Sequence, residues 1–303
     1  MMNRREFNRL GALAALAQGP LVRHMAAQTA TSGLSSSTTA ASKPKLSIML
    51  WTLGRQMPAD AQADIAAKAG YAGVELLGDY KTWKPDQLAA FKTKLKSTGL
   101  VVDSMVSGGG SLVDPDKLSV LVNSVTASIP FAKDFGCSQF ILTAGASLAG
   151  QAADAKRKAI VEALLRVSDA TAKDNIEVLL EPIDLLERKD SAVTSVTEGF
   201  EIVREVARPN IRVLYDFYHE QRGAGNLLQK LDGNLDLVGL VHIADVPKRT
   251  EPGTGEVNYI NIYKRLAEMK YNRWIAMEFY PTGDAVSILK TAKAEVEKAF
   301  GGA

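Results

Sequence analysis

Cysteine is nearly absent: Cys137 stands alone in 303 residues. A single thiol excludes an intrachain disulfide framework and any multi-cysteine zinc or iron–sulfur site. Histidine is almost as scarce, with His24, His219 and His242 the three copies. No apolar run approaches the roughly 20 residues that a membrane-spanning helix needs. Charge of one sign is lacking too. The formal net is +2, and that surplus sits at the start of the chain, where Arg4, Arg5, Arg9, Arg23 and Lys43 face Glu6 alone. Beyond them the chain is slightly acidic, which removes the bulk electrostatic case for nucleic acid. What is present, 46% hydrophobic and 23% charged residues, is ordinary globular composition and excludes collagen, coiled coil and wholesale disorder.

The first 43 residues read as address and tether. Asn3-Arg4-Arg5-Glu6-Phe7-Asn8-Arg9 resembles a twin-arginine export signal, and a short Ala/Leu-rich stretch follows from Leu10 to Leu16. Residues 1–30 are therefore read as a twin-arginine-type signal peptide, and periplasmic or exported placement is expected. Residues 31–43 are small and polar, unable to build a core, and read as a flexible linker. The folded domain is expected over 44–303.

From residue 45 a short β-rich run followed by a longer stretch of helical periodicity recurs eight times. The spacing predicts strands at Leu46–Thr52, Gly73–Leu77, Val101–Val106, Gln139–Thr143, Ile176–Glu181, Ile211–Asp216, Leu237–Ile243 and Trp274–Phe279. Runs such as Val178-Leu179-Leu180 suit strands covered on both faces, as in a parallel sheet. Amphipathic segments at Asp60–Lys68, Pro85–Lys96, Lys156–Lys173, Thr194–Val206 and Ile260–Met269 lie between them. Eight alternating units in about 260 residues predict a single-domain α/β fold, a closed (β/α)8 TIM barrel, rather than an open doubly wound sheet. Gly108-Gly109-Gly110 after the third strand reads as a flexible loop, not a phosphate cradle.

In such a barrel the chemistry lies at the C-terminal ends of the strands. The last four predicted strands each end in a polar group: Glu181, Asp216, His242 and Glu278. Their separations of 35, 26 and 36 residues are about one strand–helix unit each, so four adjacent strands would aim four groups at one mouth. Glu181 and Glu278 are flanked by apolar residues, where an unpaired carboxylate would be costly to bury. Each group alone has an ordinary explanation, Asp216 as a turn or helix cap for instance; together they suggest one site. Three carboxylates and one imidazole favour a single divalent ion, Mg²⁺ or Mn²⁺, with Co²⁺ a further candidate. Two octahedral positions would stay open for two oxygens of an α-hydroxycarbonyl compound. The ion would stabilise the enediolate formed when a carboxylate removes the C–H proton between them. Glu181 and Glu278 are the natural acid/base pair. Glu75, ending the second strand, is left between a place at the mouth and a structural one. Lys248 reads as a rim charge.

At these residues the sequence resembles the xylose-isomerase-like barrel superfamily, most closely its hydroxypyruvate isomerase branch. The likeness runs from about Leu46 to the last helix. Its specific part is Leu180-Glu181-Pro182-Ile183, Tyr215-Asp216-Phe217-Tyr218-His219, Ile243-Ala244-Asp245 and the run from Arg249 to Tyr259. The resemblance implies that Glu181, Asp216, His242 and Glu278 bind the divalent ion, that Glu181 and Glu278 are catalytic, and that His219 and Arg249 bind substrate oxygens. One position departs: hydroxypyruvate isomerases carry Gln where this chain has His242, whereas ketose 3-epimerases carry His. The implied activity is a metal-dependent aldose–ketose type isomerase acting on a small carbohydrate or hydroxy-keto acid. A ketose or 3-keto-sugar epimerase or lyase, and a non-catalytic sugar-binding barrel, are the alternatives. The superfamily's zinc-dependent apurinic endonucleases use many histidines and a basic DNA face, which this chain lacks. Neither a nucleic-acid partner nor a membrane span is expected, and a homo-oligomer is left open.

Overall fold

The computed structural model of the protein describes residues 43–301. The segment expected to be a signal peptide and all of the expected linker but Lys43 lie outside them, as do the last two residues. Eight strands, β1 (Lys45–Met49), β2 (Gly73–Leu76), β3 (Val101–Val106), β4 (Gln139–Thr143), β5 (Glu177–Glu181), β6 (Ile211–Asp216), β7 (Val238–Ile243) and β8 (Trp274–Met277), pair in parallel in chain order. The sheet closes where β1 meets β8, with Ser47 opposite Ala276. This is the closed eight-stranded barrel that the eightfold repeat predicts. Among the described residues no helix is long and apolar enough to cross a membrane.

Among the described residues nine α-helices cover the outside: α1 (Ala59–Lys68), α2 (Pro85–Thr98), α3 (Leu118–Thr126), α4 (Ile129–Phe135), α5 (Ala153–Ala172), α6 (Val196–Val206), α7 (Phe217–Gly223), α8 (Tyr259–Glu268) and α9 (Ala285–Ala299). Local chemistry sets their ends. Pro85 opens α2, where its missing N–H is not needed, and Gly99 and Gly136 close α2 and α4 in the left-handed conformation that other residues resist. Asn258 Oδ1 accepts from the Asn261 N–H at the start of α8, the capping role its position suggests. The strand that begins the barrel is shorter than its apolar run. Leu50–Leu53 turns into a 3₁₀ helix, held by Thr52 Oγ1 donating to the Met49 carbonyl at 2.8 Å. The glycine triplet is also not loose: a Cβ on Gly108 would sit 2.6 Å from Leu142 Cδ1, and one on Gly110 would sit 3.0 Å from the Leu121 backbone.

Side-chain alternation along each strand sorts the core into two regions. Most apolar strand residues face the helices in one large cluster. A small separate cluster, Met49, Ile141, Leu179, Leu214, Leu240 and Ala276, fills the barrel interior. Two residues beyond Leu179, Leu214, Leu240 and Ala276, on the same inward face, stand Glu181, Asp216, His242 and Glu278. The period of two therefore carries all four polar groups inward at the C-terminal mouth.

Candidate active site

The ligand atoms of Glu181, Asp216, His242 and Glu278 all lie within 4.8 Å of one another, and all four residues are buried. Atoms bound about 2.0–2.4 Å from one ion can be at most about 4.8 Å apart. The donor set, three carboxylates and one imidazole, thus fits a single hard or borderline divalent cation in both spread and chemistry.

Each group reaches the cluster by its own route. Glu181 is the last residue of β5. Asp216 ends β6 and does two things at once. Its Oδ1 accepts from the Tyr218 N–H at 2.8 Å and caps α7, while Oδ2 faces the cluster, 3.2 Å from Arg249 Nη2. His242 is paired across the sheet with Asp216 on one side and Ala276 on the other. Its Nδ1 lies 2.6 Å from Glu278 Oε2. Glu278 follows β8 directly and receives three donors or partners, His242, Arg249 Nη2 at 2.7 Å and Trp51 Nε1 at 3.2 Å.

His219 and Arg249 join the same network. Arg249 Nη1 lies 3.3 Å from His219 Nε2, and His219 Nδ1 lies 2.7 Å from Asp184 Oδ2. The structure thus gathers all six residues singled out in the sequence at one mouth, with Lys248 exposed beside them. It adds four that sequence pattern did not single out for the site. Trp51 sits on the 3₁₀ turn after β1 and also lines a cleft with Arg55, Gln62, Asp79 and Trp83. Asp184, three residues after Glu181, orients His219. Tyr218 packs its ring 4.7 Å from the Arg249 guanidinium. Asp245 organises the loop that carries Arg249.

That loop is built around one buried carboxylate. Asp245 is fully buried and accepts backbone N–H groups from Val246, Gly253, Gly255 and Val257 at 2.9–3.0 Å. Arg249 itself has φ +57°, a left-handed conformation that costs a non-glycine residue about 1–2 kcal/mol. Its carbonyl accepts from Tyr280 N–H and its own N–H donates to the Asp245 carbonyl. Gly255 is where the loop folds back on itself: a Cβ there would lie 1.9 Å from the Val246 carbonyl oxygen. Gly255→Ala is therefore expected to lower stability by about 1–3 kcal/mol and to raise KM. Denaturant titration beside steady-state kinetics checks both, and an unchanged KM would detach the loop from substrate binding.

The electrostatics are uneven. Burial, then the neighbouring Glu278, raises Glu181 above the ordinary carboxylate range. Burial alone would raise Glu278 as well, but Arg249 and His242 more than reverse it and hold Glu278 low. Burial disfavours a charged His219, yet Asp216 and Asp184 raise it. Burial likewise opposes a charged His242, and Glu75 and Glu278 raise it well above the usual imidazole value. Two carboxyl groups whose surroundings push their proton affinities apart are suited to acid/base work.

Residues 63–298 match the family model described as the xylose isomerase-like TIM barrel. The chain belongs to that family. Among curated proteins it is 28% identical to the 2-oxo-tetronate isomerase of Pectobacterium atrosepticum over 264 residues, 84% of this chain and 99% of that protein. It is 29% identical to the hydroxypyruvate isomerase of Escherichia coli, over 73% of this chain and 87% of that protein. A solved structure described as an AP endonuclease, family 2, from Brucella melitensis is 25% identical, with a TM-score of 0.74 over 81% of this chain and 96% of that one.

Proposed function

We propose that this protein is a divalent-metal-dependent isomerase of the aldose–ketose type, acting on a small α-hydroxycarbonyl compound by proton transfer between Glu181 and Glu278. The observation that carries the reading is the convergence of three buried carboxylates and one imidazole on a space sized for one ion. The names of the two curated relatives support a hydroxy-keto acid as the substrate class. A divalent ion held by Glu181, Asp216, His242 and Glu278 would supply Lewis-acid polarisation of adjacent substrate oxygens, and the oxygen-rich donors suit Mg²⁺ or Mn²⁺ best, with Co²⁺ also matching.

In this reading one glutamate removes the proton from the carbon that bears the hydroxyl. The electron pair moves into the carbon–carbon bond and gives the enediolate. The second glutamate returns a proton to the neighbouring carbon, and the hydroxyl proton passes to the former carbonyl oxygen, so nothing is oxidised or reduced overall. His219, oriented by Asp184, and Arg249, flanked by Trp51 and Tyr218, would hold substrate oxygens. His219→Ala is accordingly expected to raise KM about tenfold or more while the ion stays bound, checked by kinetics beside metal analysis.

His242 favours a second reading, a ketose or 3-keto-sugar epimerase using the same four residues. Proton–deuterium exchange separates the two. Purified Mn²⁺-loaded protein is incubated in D₂O with hydroxypyruvate, 2-oxo-tetronate, free ketoses and 3-keto sugars. Deuterium entering the acids supports the isomerase, deuterium entering only the sugars supports the epimerase, and none entering any compound overturns both. Export through the twin-arginine route is proposed on Arg4 and Arg5. Replacing both by Lys is expected to retain the protein in the cytoplasm, and unchanged localisation on cell fractionation would remove that proposal.

A further inference from the structure

Beneath the four-residue cluster lies a buried acid that the proposed chemistry does not use. Glu75, on β2, has no exposed surface. Ser104 Oγ donates to its Oε1 at 2.7 Å, and the same oxygen is the hydrogen-bond partner of His242 Nε2 at 3.3 Å; Oε2 lies 3.1 Å from that nitrogen but has no hydrogen-bond partner. The other ring nitrogen of His242, Nδ1, is on the side of Glu278, 2.6 Å from Oε2. The imidazole is thus bracketed, with Glu75 behind it and the cluster in front.

A neutral imidazole has one N–H and one lone pair, and a carboxylate accepts hydrogen bonds without donating any. Glu278 holds a proton on Nδ1 of the ion-free ring in the same way; where an ion takes the place of that proton, the carboxylate behind Nε2 keeps the other proton on Nε2 and leaves the Nδ1 lone pair for the ion. Resting on the function proposed above, we propose that Glu75 is a positioning residue that fixes the tautomer and ring orientation of His242 for metal binding. Packing alone does not explain a glutamate here. A buried carboxylate whose hydroxyl partner is a single serine is expensive. The expense is offset if the charge also raises the donor strength of a ligating histidine, as such outer partners do.

The test is a double-mutant cycle read by metal binding. Mn²⁺ affinity is measured by calorimetry on Glu75→Gln, His242→Gln and the double variant, each first checked for an unchanged circular dichroism spectrum. Glu75→Gln is expected to weaken Mn²⁺ binding about 10–100-fold and to shift the absorption bands of bound Co²⁺. In the His242→Gln background the same change should cost about threefold or less, because the residue it acts through is gone. Equal losses in both backgrounds, or no loss in the single variant, overturn the proposal. Should Glu75→Gln fail to fold, the wild type decides. Nitrogen-15 shifts of His242 in the Mg²⁺-loaded protein should show the proton on Nε2, and a proton on Nδ1 overturns it. If the wild type binds neither ion, this proposal and the functional reading both fall. Mn²⁺ binding without turnover of any α-hydroxycarbonyl compound defeats only the functional reading.

Discussion

Metal-replete Glu278→Gln protein is expected to turn over substrate about 10²–10⁴-fold more slowly than wild type, or slower still, because metal and base roles coincide in one side chain. Glutamine keeps the size of the side chain and a carbonyl oxygen that can accept from Trp51 Nε1. It loses the charge that Arg249 Nη2 now faces at 2.7 Å and the capacity to take a proton from carbon. Solvent deuterium entry into substrate should fall in parallel with turnover, since both need C–H cleavage. Glu181→Gln should behave alike, and the double variant should be little worse than either single one, because removing one member of a two-base pair disables the unit. Metal content is measured on each protein first. A metal-replete Glu278→Gln enzyme running at the wild-type rate would reduce Glu278 to a ligand or bystander and end the two-base mechanism.

The parts of this molecule legible in its sequence are those decided locally. Val101–Val106, Gln139–Thr143 and Ile211–Asp216 match their predicted bounds at both ends, where short β-rich runs stand out between helical stretches and turns. Convergence of Glu181, Asp216, His242 and Glu278 followed from that regularity plus alternation. Elsewhere local signals were ambiguous. Asp216 ends a strand and caps α7 in one step, so the helix Phe217–Gly223 is hidden inside what reads as a strand-end motif. The third unit's helical span is split, α3 ending at Thr126 and α4 starting at Ile129 ahead of Pro130, and neither helix stood out by periodicity. Trp51 and Asp184, and the role of Asp245, stayed invisible for another reason. The partners of Trp51 and Asp184 are 227 and 35 residues away, and three of the four that Asp245 holds are 8–12 residues away; nothing in a single strand or helix pattern encodes which side chain will meet which partner. Glu75 shows the same limit, its partner His242 being 167 residues away: a glutamate at a strand end could face either way until closure of the barrel placed it under that ring.

Removing the divalent ion is the second change expected to have a large effect, and it should act on stability as well as on rate. Dialysis against a chelator should lower turnover by about 10³-fold or more, the several kcal/mol that a Lewis acid contributes, with recovery on adding Mn²⁺. The stability effect follows from what the ion leaves behind. Glu181, Asp216 and Glu278 share a space with one guanidinium, Arg249, whose nitrogen meets only the latter two. An uncompensated buried charge is destabilising. Resupplying ion at about 100 times its dissociation constant should add about 2.7 kcal/mol, a rise of about 5–10 °C in Tm for a domain of this size. The gap should depend on pH. Glu181, His219 and His242 all bind protons more tightly in the folded metal-free protein than in the unfolded chain. Groups raised in this way give stability that is complete below their ordinary range and is lost as pH rises through their folded values. Glu278, held low, has the opposite sign, but its contribution changes only in acid, below the ordinary carboxylate range. From that range upward through neutral pH, metal-free protein should therefore melt at progressively lower temperature, while ion-loaded protein, whose cluster binds a cation in place of protons, should change less. Differential scanning calorimetry across pH with and without Mn²⁺ reads both curves. Parallel curves would mean that the ion does not occupy the space these groups share.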